Sequence, residues 1–329
     1  MATLWPLAIF ICTDTVHAAL LDAIAAELRS LGVEVYRGLL DDEGSSVPWD
    51  RIDVIVPTIR QRCTRFHLER AINLRGVVYP TIGVESLDLA AANELGIVVG
   101  HGATPENFIG MAEATLMLGL ALVYRLNEAV DVLHNGRSRP SPPSARMLRG
   151  KTIGLVGVGR IGSELARLLK PCGGTVMAHT RSRRPNEDIA EFVDLDTLLV
   201  SADLVFLLTT LTSDTRGMIG RDQLLLMKKS AYLVNTARGE LIDEEALCEA
   251  LSEQRIAGAA LDVFEVEPLP LSSGLRSLDS VILTPHIIGH TLESTESLLP
   301  AAIDNIWNIL NRRAPRFCKN PEIAPRWRT

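Results

Sequence analysis

One short stretch, Thr152 to Gly162, constrains the fold of this chain more than any other. It begins as an apolar, β-branched strand, turns through Gly157 and Gly159, and leads into an amphipathic helix. A dinucleotide-binding crossover requires this order. The first glycine permits a tight turn, the second admits a pyrophosphate, and the third lets helix and strand pack closely. Because the N–H groups at the start of the helix would bind the phosphates, the stretch predicts a nucleotide-binding unit.

Short apolar segments alternate with segments of helical spacing along most of the chain. Strands are predicted at 7–12, 33–36, 52–56, 77–79, 97–99, 152–156, 175–179, 204–208, 231–234, 257–262 and 281–283. Helices are predicted at 16–31, 64–73, 87–95, 160–172, 196–201, 221–227, 243–252 and 291–313, with Pro300 as a kink or restart in the last. This alternation predicts an α/β fold with two doubly wound parallel sheets, the second having six strands.

The composition is that of a mildly acidic globular protein. The 329 residues carry a net charge of −7, which argues against nucleic acid or a membrane surface as a partner. The five cysteines are scattered and contain no C-x-x-C pair, so neither a disulfide framework nor a zinc site is expected. Cysteines used in this way suit a reducing compartment, and we expect a cytoplasmic protein.

A long helix is predicted to begin at Thr104-Pro105-Glu106, with a threonine cap, proline at the first helical position and an acid in the first turn. It should run to about Val132 and is apolar on nearly all sides as far as Tyr124. A helix of this kind must be buried, between domains or between subunits. The tail from Ala314 is expected to pack back on the first domain.

The end of the second strand of the nucleotide-binding unit bears on the choice of cofactor. Sites that prefer NAD carry an acid about 20 residues after the glycines, which binds the ribose 2′-hydroxyl. Here no Asp or Glu lies between Glu164 and Glu187, and the strand ends in Thr180, Arg181, Ser182, Arg183 and Arg184. Arginines beside hydroxyls suit a 2′-phosphate, so the sequence predicts NADP, with NAD as the alternative.

Three later blocks place polar residues directly after apolar strands, where open α/β sheets bind ligands. They span residues 232–243, 260–268 and 283–291. Together with the glycine turn, the segment 80–88 and the run 107–113, these blocks make the chain resemble the D-isomer-specific 2-hydroxyacid dehydrogenase family.

The resemblance implies two similar domains and a homodimer built around the long helix. Residues 1–102 and 291–329 would form a flavodoxin-like substrate-binding domain. Residues 103–290 would form an inserted Rossmann NAD(P)-binding domain that includes the long helix.

By motif, the resemblance identifies Arg238, Glu267 and His286 as the catalytic residues. Their chemistry agrees with this assignment. A guanidinium binds the carboxylate of a 2-oxo acid and polarises its carbonyl group. An imidazolium donates a proton to the carbonyl oxygen as hydride arrives, and a neighbouring carboxylate favours its charged form and orients it.

The remaining site residues follow from the glycine turn, the strand end and the resemblance. We expect cofactor binding at Gly157, Gly159, Arg160, Ile161, Gly162, Thr180, Arg181, Ser182, Arg183, Thr209, Thr210, Thr215, Thr236, Ala237, Asp262 and Gly289. Backbone N–H groups of Ile82, Gly83 and Val84 are expected to bind the substrate carboxylate.

Some positions depart from the family pattern. Thr81 replaces the first glycine of the substrate loop, which leaves the path of that loop open, and Thr209-Thr210 replaces Leu-Pro near the nicotinamide. His290 stands where a small residue is common and is expected to line the substrate pocket. Because Pro285 and Gly289 break helical spacing around it, no metal pair with His286 is expected.

Two arginines after the third strand suggest a further contact with the substrate. Arg60, together with Arg62, could read a second anionic group such as a phosphate, although solvated loop arginines are the commoner explanation.

The combined prediction is an NADPH-preferring reductase of small 2-oxo acids that yields D-2-hydroxy acids, of the glyoxylate/hydroxypyruvate reductase type. An NAD-dependent phosphoglycerate-type dehydrogenase is one alternative. A formate-type enzyme is disfavoured because residue 267 is Glu and not Gln. A non-catalytic NAD(P)-sensing scaffold of the corepressor kind is the alternative from another class. The sequence does not specify which 2-oxo acid is the substrate.

Overall fold

The computed structural model of the protein describes residues 7–42, 46–181 and 189–328. The chain divides into two compact units. The first unit contains Met1–Asn107 and Thr291–Thr329, and the second unit contains Phe108–His290. Each unit is built on a wholly parallel sheet with helices packed against it, so the predicted fold class is confirmed.

The sheet of the first unit contains five strands in the order β2-β1-β3-β4-β5. These strands are β1 Ala8–Cys12, β2 Glu34–Gly38, β3 Val54–Val56, β4 Gly76–Val78 and β5 Val98–Gly100. The helices are α1 Ala18–Ser30, α2 Arg65–Arg70, α3 Leu89–Glu94 and, from the end of the chain, α10 Leu292–Leu310. Pro300 lies inside α10 and does not divide it.

Both faces of this first sheet are apolar, as a buried parallel sheet requires. Along β1, Ile9 packs with Ile306 of α10, whereas its neighbour Phe10 packs with Leu68 on the opposite face. The tail of the chain adds to the sheet edge, because the N–H group of Lys319 bonds the carbonyl oxygen of Val99 at 2.8 Å. The expectation that the tail packs against the first unit is confirmed.

The sheet of the second unit has seven strands in the order β12-β11-β10-β9-β6-β7-β8. They are β6 Thr152–Val156, β7 Thr175–His179, β8 Glu191–Phe192, β9 Leu204–Leu207, β10 Tyr232–Asn235, β11 Gly258–Leu261 and β12 Val281–Leu283. The helices include α6 Arg160–Leu169, α7 Leu195–Ser201, α8 Arg221–Leu226 and α9 Glu244–Ser252. The prediction of six strands was wrong, because β8 is only two residues long and has no readable pattern. The order reverses between β6 and β9, as in dinucleotide-binding sheets.

The long helix is divided, contrary to the prediction of one helix to about Val132. Helix α4 spans Pro105–Val123 and α5 spans Leu126–His134. Between them Arg125 adopts a left-handed conformation with φ of 53°, which an α-helix cannot continue through. By length and composition α4 could cross a membrane, but 44% of its most apolar window is buried. A Cβ atom on its Gly119 would lie 2.6 Å from the Phe206 ring, so this face of α4 packs directly on the sheet.

Candidate active site

The glycine turn leaves an open position at the start of α6. Gly157 has φ of +105°, and a Cβ atom there would lie 2.6 Å from the Thr209 nitrogen. A Cβ atom on Gly162 would lie 2.4 Å from the Gly157 oxygen. These two glycines are therefore required by the packing of the turn itself. At Gly159, by contrast, a Cβ atom would meet nothing within 4 Å. Open space above the N-terminus of a helix fits a pyrophosphate, so the turn is compatible with a dinucleotide.

The strand end expected to select the cofactor lies next to this turn. The N–H group of Gly157 bonds the carbonyl oxygen of His179, the last residue of β7, at 2.8 Å. Thr180 and Arg181 follow directly. Arg181 is largely exposed, and its Nη1 lies 4.0 Å from the Asp214 carboxylate, a loose ion pair. The expectations for Ser182 and Arg183 fall outside the described residues.

The loop after β9 contains the threonines expected near the nicotinamide. The backbone of Thr209 packs against Gly157. The Thr215 hydroxyl donates to the Thr210 carbonyl oxygen at 2.8 Å and accepts from the Thr212 N–H at 2.8 Å. Thr215 therefore shapes this loop from within, which gives it a structural task in addition to the expected contact with the cofactor.

The turn that carries Arg238 is fixed by a buried asparagine. The Asn235 side chain, fully buried at the end of β10, donates to the Arg238 carbonyl oxygen at 2.8 Å and accepts from the Ala237 N–H at 3.0 Å. A Cβ atom on Gly239 would lie only 1.9 Å from the carbonyl carbon of Phe264. The turn is thereby held against the loop after β11. Sequence reasoning assigns no role to Asn235 or Gly239, although a polar residue at the end of an apolar strand is a usable signal.

His286 and Glu267 form a directly bonded pair. His286 Nδ1 lies 2.8 Å from Glu267 Oε2, and the other carboxylate oxygen accepts from the Phe264 N–H at 3.2 Å. Burial raises the pKa of Glu267, but the hydrogen bond from His286 and its charge outweigh burial, and the pKa is lowered. An ionised carboxylate can only accept, so Nδ1 donates to it and Nε2 is the nitrogen left for substrate.

The electrostatics of this pair favour a protonated imidazole. The hydrogen bond to Glu267 raises the pKa of His286 above its ordinary value, although burial and the charge of Arg238 oppose the shift. Arg238, half-buried, is thus close enough to act on both members of the pair. The structure therefore brings all three predicted catalytic residues together, within the second unit.

Asp262 holds the loop on which His286 lies. This carboxylate, almost completely buried, accepts from the Thr284 hydroxyl at 2.7 Å and from the Ile287 and Ile288 N–H groups at 3.1 and 3.3 Å. Between them His286 adopts φ of 57°, a costly conformation for a residue other than glycine. Burial raises the pKa of Asp262, and these donors oppose the shift. Asp262 thus fixes the loop that bears His286, and cofactor contact remains a prediction for it.

The expected substrate loop of the first unit is anchored through the residues that precede Gly83. The buried ring of His101 donates through Nδ1 to the Ile82 carbonyl oxygen at 3.0 Å, and the Gly102 N–H bonds the Thr81 carbonyl oxygen at 2.8 Å. A Cβ atom on Gly102 would lie 2.2 Å from the Pro80 oxygen. The segment after β5 therefore defines the loop path that Thr81 had left open. Sequence reasoning missed His101, because no spacing rule connects it to Ile82.

The remaining expected site residues differ in how strongly the structure holds them. Arg60 and Arg62 are exposed after β3 of the first unit. His290 is exposed in the second unit, and its N–H bonds the Ile287 carbonyl oxygen at 2.9 Å. Gly289 is buried, and a Cβ atom there would lie 1.7 Å from Met111 Sδ. Among the described residues there is no group of three or more side chains that could hold a metal ion.

Comparisons with known proteins identify the family of this chain. The profile described as "D-isomer specific 2-hydroxyacid dehydrogenase, NAD binding domain" matches residues 116–287. A glyoxylate reductase of Thermofilum pendens is 39% identical over 265 residues, which are 78% of this chain and 78% of that protein. A D-3-phosphoglycerate dehydrogenase of Methanocaldococcus jannaschii is 38% identical over 305 residues, 91% of this chain and 56% of that protein.

A solved structure shows the same likeness over nearly the whole fold. The crystal structure of a glyoxylate reductase from Paecilomyes thermophila has a TM-score of 0.85 at 27% identity, covering 96% of this chain and 99% of that chain. The family model and these relatives thus identify an NAD(P)-dependent oxidoreductase. The chain belongs to the D-isomer-specific 2-hydroxyacid dehydrogenase family, and its matched segment is the NAD-binding domain of that family.

Proposed function

We propose that this enzyme reduces a small 2-oxo acid to the D-2-hydroxy acid, with NADPH as preferred cofactor, as a glyoxylate/hydroxypyruvate-type reductase. The observation that carries the proposal is the 2.8 Å His286–Glu267 pair with Arg238 beside it. A bonded acid–base pair next to a guanidinium is the chemistry that reduction of a 2-oxo acid requires.

Each residue of this group has a separate task. Arg238 binds the substrate carboxylate in a forked pair of hydrogen bonds and polarises the neighbouring carbonyl group. The nicotinamide cofactor, when bound, supplies the hydride. His286 donates the proton on Nε2 to the carbonyl oxygen as negative charge develops there, and it takes the proton back in the oxidative direction. Glu267 keeps Nδ1 protonated and the ring oriented throughout. The backbone N–H groups of Ile82, Gly83 and Val84 are expected to bind the substrate carboxylate as well.

The preference for NADPH rests on the strand end after β7. Thr180 and the exposed Arg181 stand where an acid would otherwise repel a 2′-phosphate, and no acid lies between Glu164 and Glu187. A guanidinium and a hydroxyl at this edge bind a phosphate through charge-assisted hydrogen bonds. The glycine turn, the loop after β9, Thr236, Ala237, Asp262 and Gly289 would hold the rest of the cofactor.

A panel of 2-oxo acids tests the proposal directly. Purified protein is mixed with glyoxylate, hydroxypyruvate, pyruvate or phosphohydroxypyruvate and with NADPH or NADH, and cofactor oxidation is followed by absorbance. We expect the highest kcat/KM with NADPH and an unphosphorylated small 2-oxo acid. Faster oxidation of NADH than of NADPH with every acid would refute the cofactor assignment. Negligible turnover throughout, with cofactor binding retained, would favour the sensing-scaffold alternative.

A phosphoglycerate-type activity is the second candidate. It is favoured by the M. jannaschii relative, which aligns with 91% of this chain, and by the two exposed arginines after β3. If it is correct, phosphohydroxypyruvate is the best substrate, and Arg60→Ala with Arg62→Ala raises its KM but not that of glyoxylate. Arg65→Ala is the matched control, because Arg65 is engaged with Glu69 and Glu94. Equal effects on both substrates would exclude phosphate recognition by these arginines.

We also propose that the enzyme is a cytoplasmic homodimer. Apolar side chains on α4 and α5 are exposed in the single chain, among them Met117, Leu126 and Leu133, the last 82% exposed. Such a surface is characteristic of an interface. We expect a mass of twice 35.9 kDa by sedimentation, and Leu133→Glu should shift it towards the monomer. A monomeric wild type would refute the assembly. The five cysteines are all free, which suits a reducing compartment.

A further inference from the structure

We infer that helix α4 positions both loops that carry the proton donor and the carboxylate-binding guanidinium, and that Thr115 is the positioning residue. The inference rests on the proposed function, because it concerns the same catalytic group. It assigns a task to a helix whose side chains do not belong to that group.

The first point of attachment is a buried pair of hydroxyl groups. Thr115 Oγ1 lies 2.8 Å from Thr236 Oγ1, and both residues are buried. Thr236 lies two residues before Arg238, in the turn whose other end is fixed by Asn235. The turn that bears the Arg238 guanidinium is therefore bonded to α4 through Thr236 and to the end of β10 through Asn235.

The second point is a close packing contact one helical turn earlier. Met111 lies where a Cβ atom on Gly289 would be, since that atom would come within 1.7 Å of Sδ. Gly289 follows His286 by three residues in the loop that Asp262 holds. Residues four apart share one face of a helix, so Met111 and Thr115 present a single rigid surface to both loops. A shift of α4 would move both catalytic loops together.

The hydrogen bonds at Thr115 have a defined direction. Thr115 Oγ1 donates to the Met111 carbonyl oxygen at 2.6 Å. A hydroxyl has one proton, so Thr115 can only accept from Thr236, and the Thr236 proton is committed to this bond. Thr236 therefore offers only lone pairs to a ligand. The chain of bonds fixes the hydroxyl orientation next to the catalytic turn, which an apolar contact would not do.

Stability alone does not explain a threonine at this position. A hydroxyl bonded back to the carbonyl four residues earlier slightly weakens a helix, and a buried hydroxyl pair replaced by apolar groups of the same shape is often neutral. Valine at both positions would fill the same volume. The hydroxyl pair is accounted for by the geometry that it imposes on the Arg238 turn.

The test compares Thr115→Val, which removes the hydroxyl at constant shape, with Thr115→Ser, which keeps it. We expect Thr115→Val to lower kcat by about tenfold, as a displacement of an ångström or less does, while Thr115→Ser stays near wild type. The second readout is the NMR titration of the His286 ring, which faces Glu267, Arg238 and Asp262. Loosening Arg238 should move this titration to higher pH in Thr115→Val and leave it unchanged in Thr115→Ser.

The possible results distinguish a positioning role of Thr115 from a purely structural one, and from a failure of the proposed function. A lower melting temperature in Thr115→Val with unchanged kcat and unchanged His286 titration would overturn the inference, because a purely structural hydroxyl gives that result. If Thr115→Val does not fold, Thr115→Ala is measured in the same way with the same expectations. If the wild type reduces no 2-oxo acid but the His286 titration still responds to Thr115→Val and not to Thr115→Ser, the positioning role stands and the proposed function fails.

Discussion

The two units make different use of the turn after their first strand. In the first unit the turn between β1 and α1 contains Asp14, whose carboxylate accepts from the Val16 N–H at 2.8 Å and lies 3.2 Å from His17 Nδ1. The Asp14 side chain is only 2% exposed. In the second unit the turn between β6 and α6 contains glycines and is open at Gly159. One turn is filled by its own anion, and the other has room for the anion of a ligand.

This difference shows that sheet architecture alone does not determine where a dinucleotide binds. Both sheets are parallel, and each reverses its strand order at its first strand, next to β3 in one unit and next to β9 in the other. Both therefore have the crevice in which such sheets bind ligands. In the first unit the turn beside this crevice is occupied by Asp14, which accepts from the Val16 N–H two residues before α1 begins. In the second unit the open start of α6 leaves its N–H groups for the anion of a ligand. Function follows from the turn residues and not from the fold.

The largest effect should come from removing the proton donor of the second unit. His286→Ala should lower kcat for 2-oxo acid reduction by about 10²–10⁴-fold, the usual contribution of a general acid. The Kd of NADPH, measured by fluorescence, should not change, because the glycine turn is untouched. Turnover equal to that of the wild type would show that another group donates the proton.

The difference between the two turns can be removed by placing a side chain in the open turn between β6 and α6. Gly159→Val puts a branched side chain where the pyrophosphate is expected, and NADPH affinity should fall by about a hundredfold, the loss of two charge-assisted hydrogen bonds. Gly220→Val is the matched control, because Gly220 also precedes a helix in an extended conformation, and a Cβ atom there would make only ordinary contacts of 3.6 and 3.7 Å. Equal loss in both variants would indicate a general defect in folding.

The ion pair between His286 and Glu267 should affect the pH dependence of reductive turnover. Because the pKa of His286 is raised by Glu267, its proton is bound below that pKa and lost as pH rises through it. Glu267→Gln removes the main cause of the shift. Reductive turnover should then fall off at lower pH than in the wild type, and the maximum kcat should fall by about tenfold. An unchanged midpoint would mean that Glu267 does not set the protonation of His286.

The cofactor preference should respond to the exposed arginine after β7. Arg181→Ala should raise the KM of NADPH by about fivefold, since an exposed charged contact is worth about 1 kcal/mol, and leave the KM of NADH unchanged. Arg167→Ala is the control, because Arg167 is also an exposed arginine of this unit, on α6, and is paired with Glu164. A parallel change for both cofactors would show that Arg181 does not read the 2′-phosphate.

The smallest effect concerns the filled turn of the first unit. Asp14→Ala should lower the free energy of unfolding by about 1 kcal/mol, because a backbone donor loses its partner. Burial raises the pKa of Asp14, but the Val16 and His17 hydrogen bonds lower it further, so this stability is present at neutral pH and lost in acid as the carboxyl protonates. Urea unfolding at pH 7 and at pH 3 measures the loss of stability and its dependence on pH. NADPH affinity should not change.

Features that depend on neighbours in sequence could be predicted from the residues alone. The alternation of apolar segments identified eleven of the twelve strands among the described residues and the two-sheet fold, and the spacing of Gly157, Gly159 and Gly162 identified the nucleotide turn. The helix end at Val123 was missed, because nothing in the apolar run indicates that Arg125 turns left-handed. Strand β8 was missed because its two residues are too few to show the alternation of apolar and polar side chains that marks a strand.

The sequence also identified Arg238, Glu267 and His286 as candidates, because the motifs that contain them occur in the chain in the order that the family shows. Only the tertiary structure decided how they are held: by Asn235 and Gly239 behind Arg238, by Asp262 under the His286 loop, and by Thr115 of α4. The Thr115–Thr236 bond joins residues 121 positions apart, and the Asp262 contacts join residues up to 26 apart. Such bonds depend on how separate strands and helices pack together. The local spacing of residues in the sequence does not specify that packing. The chemistry of the site was therefore readable in the sequence, and its geometry was not.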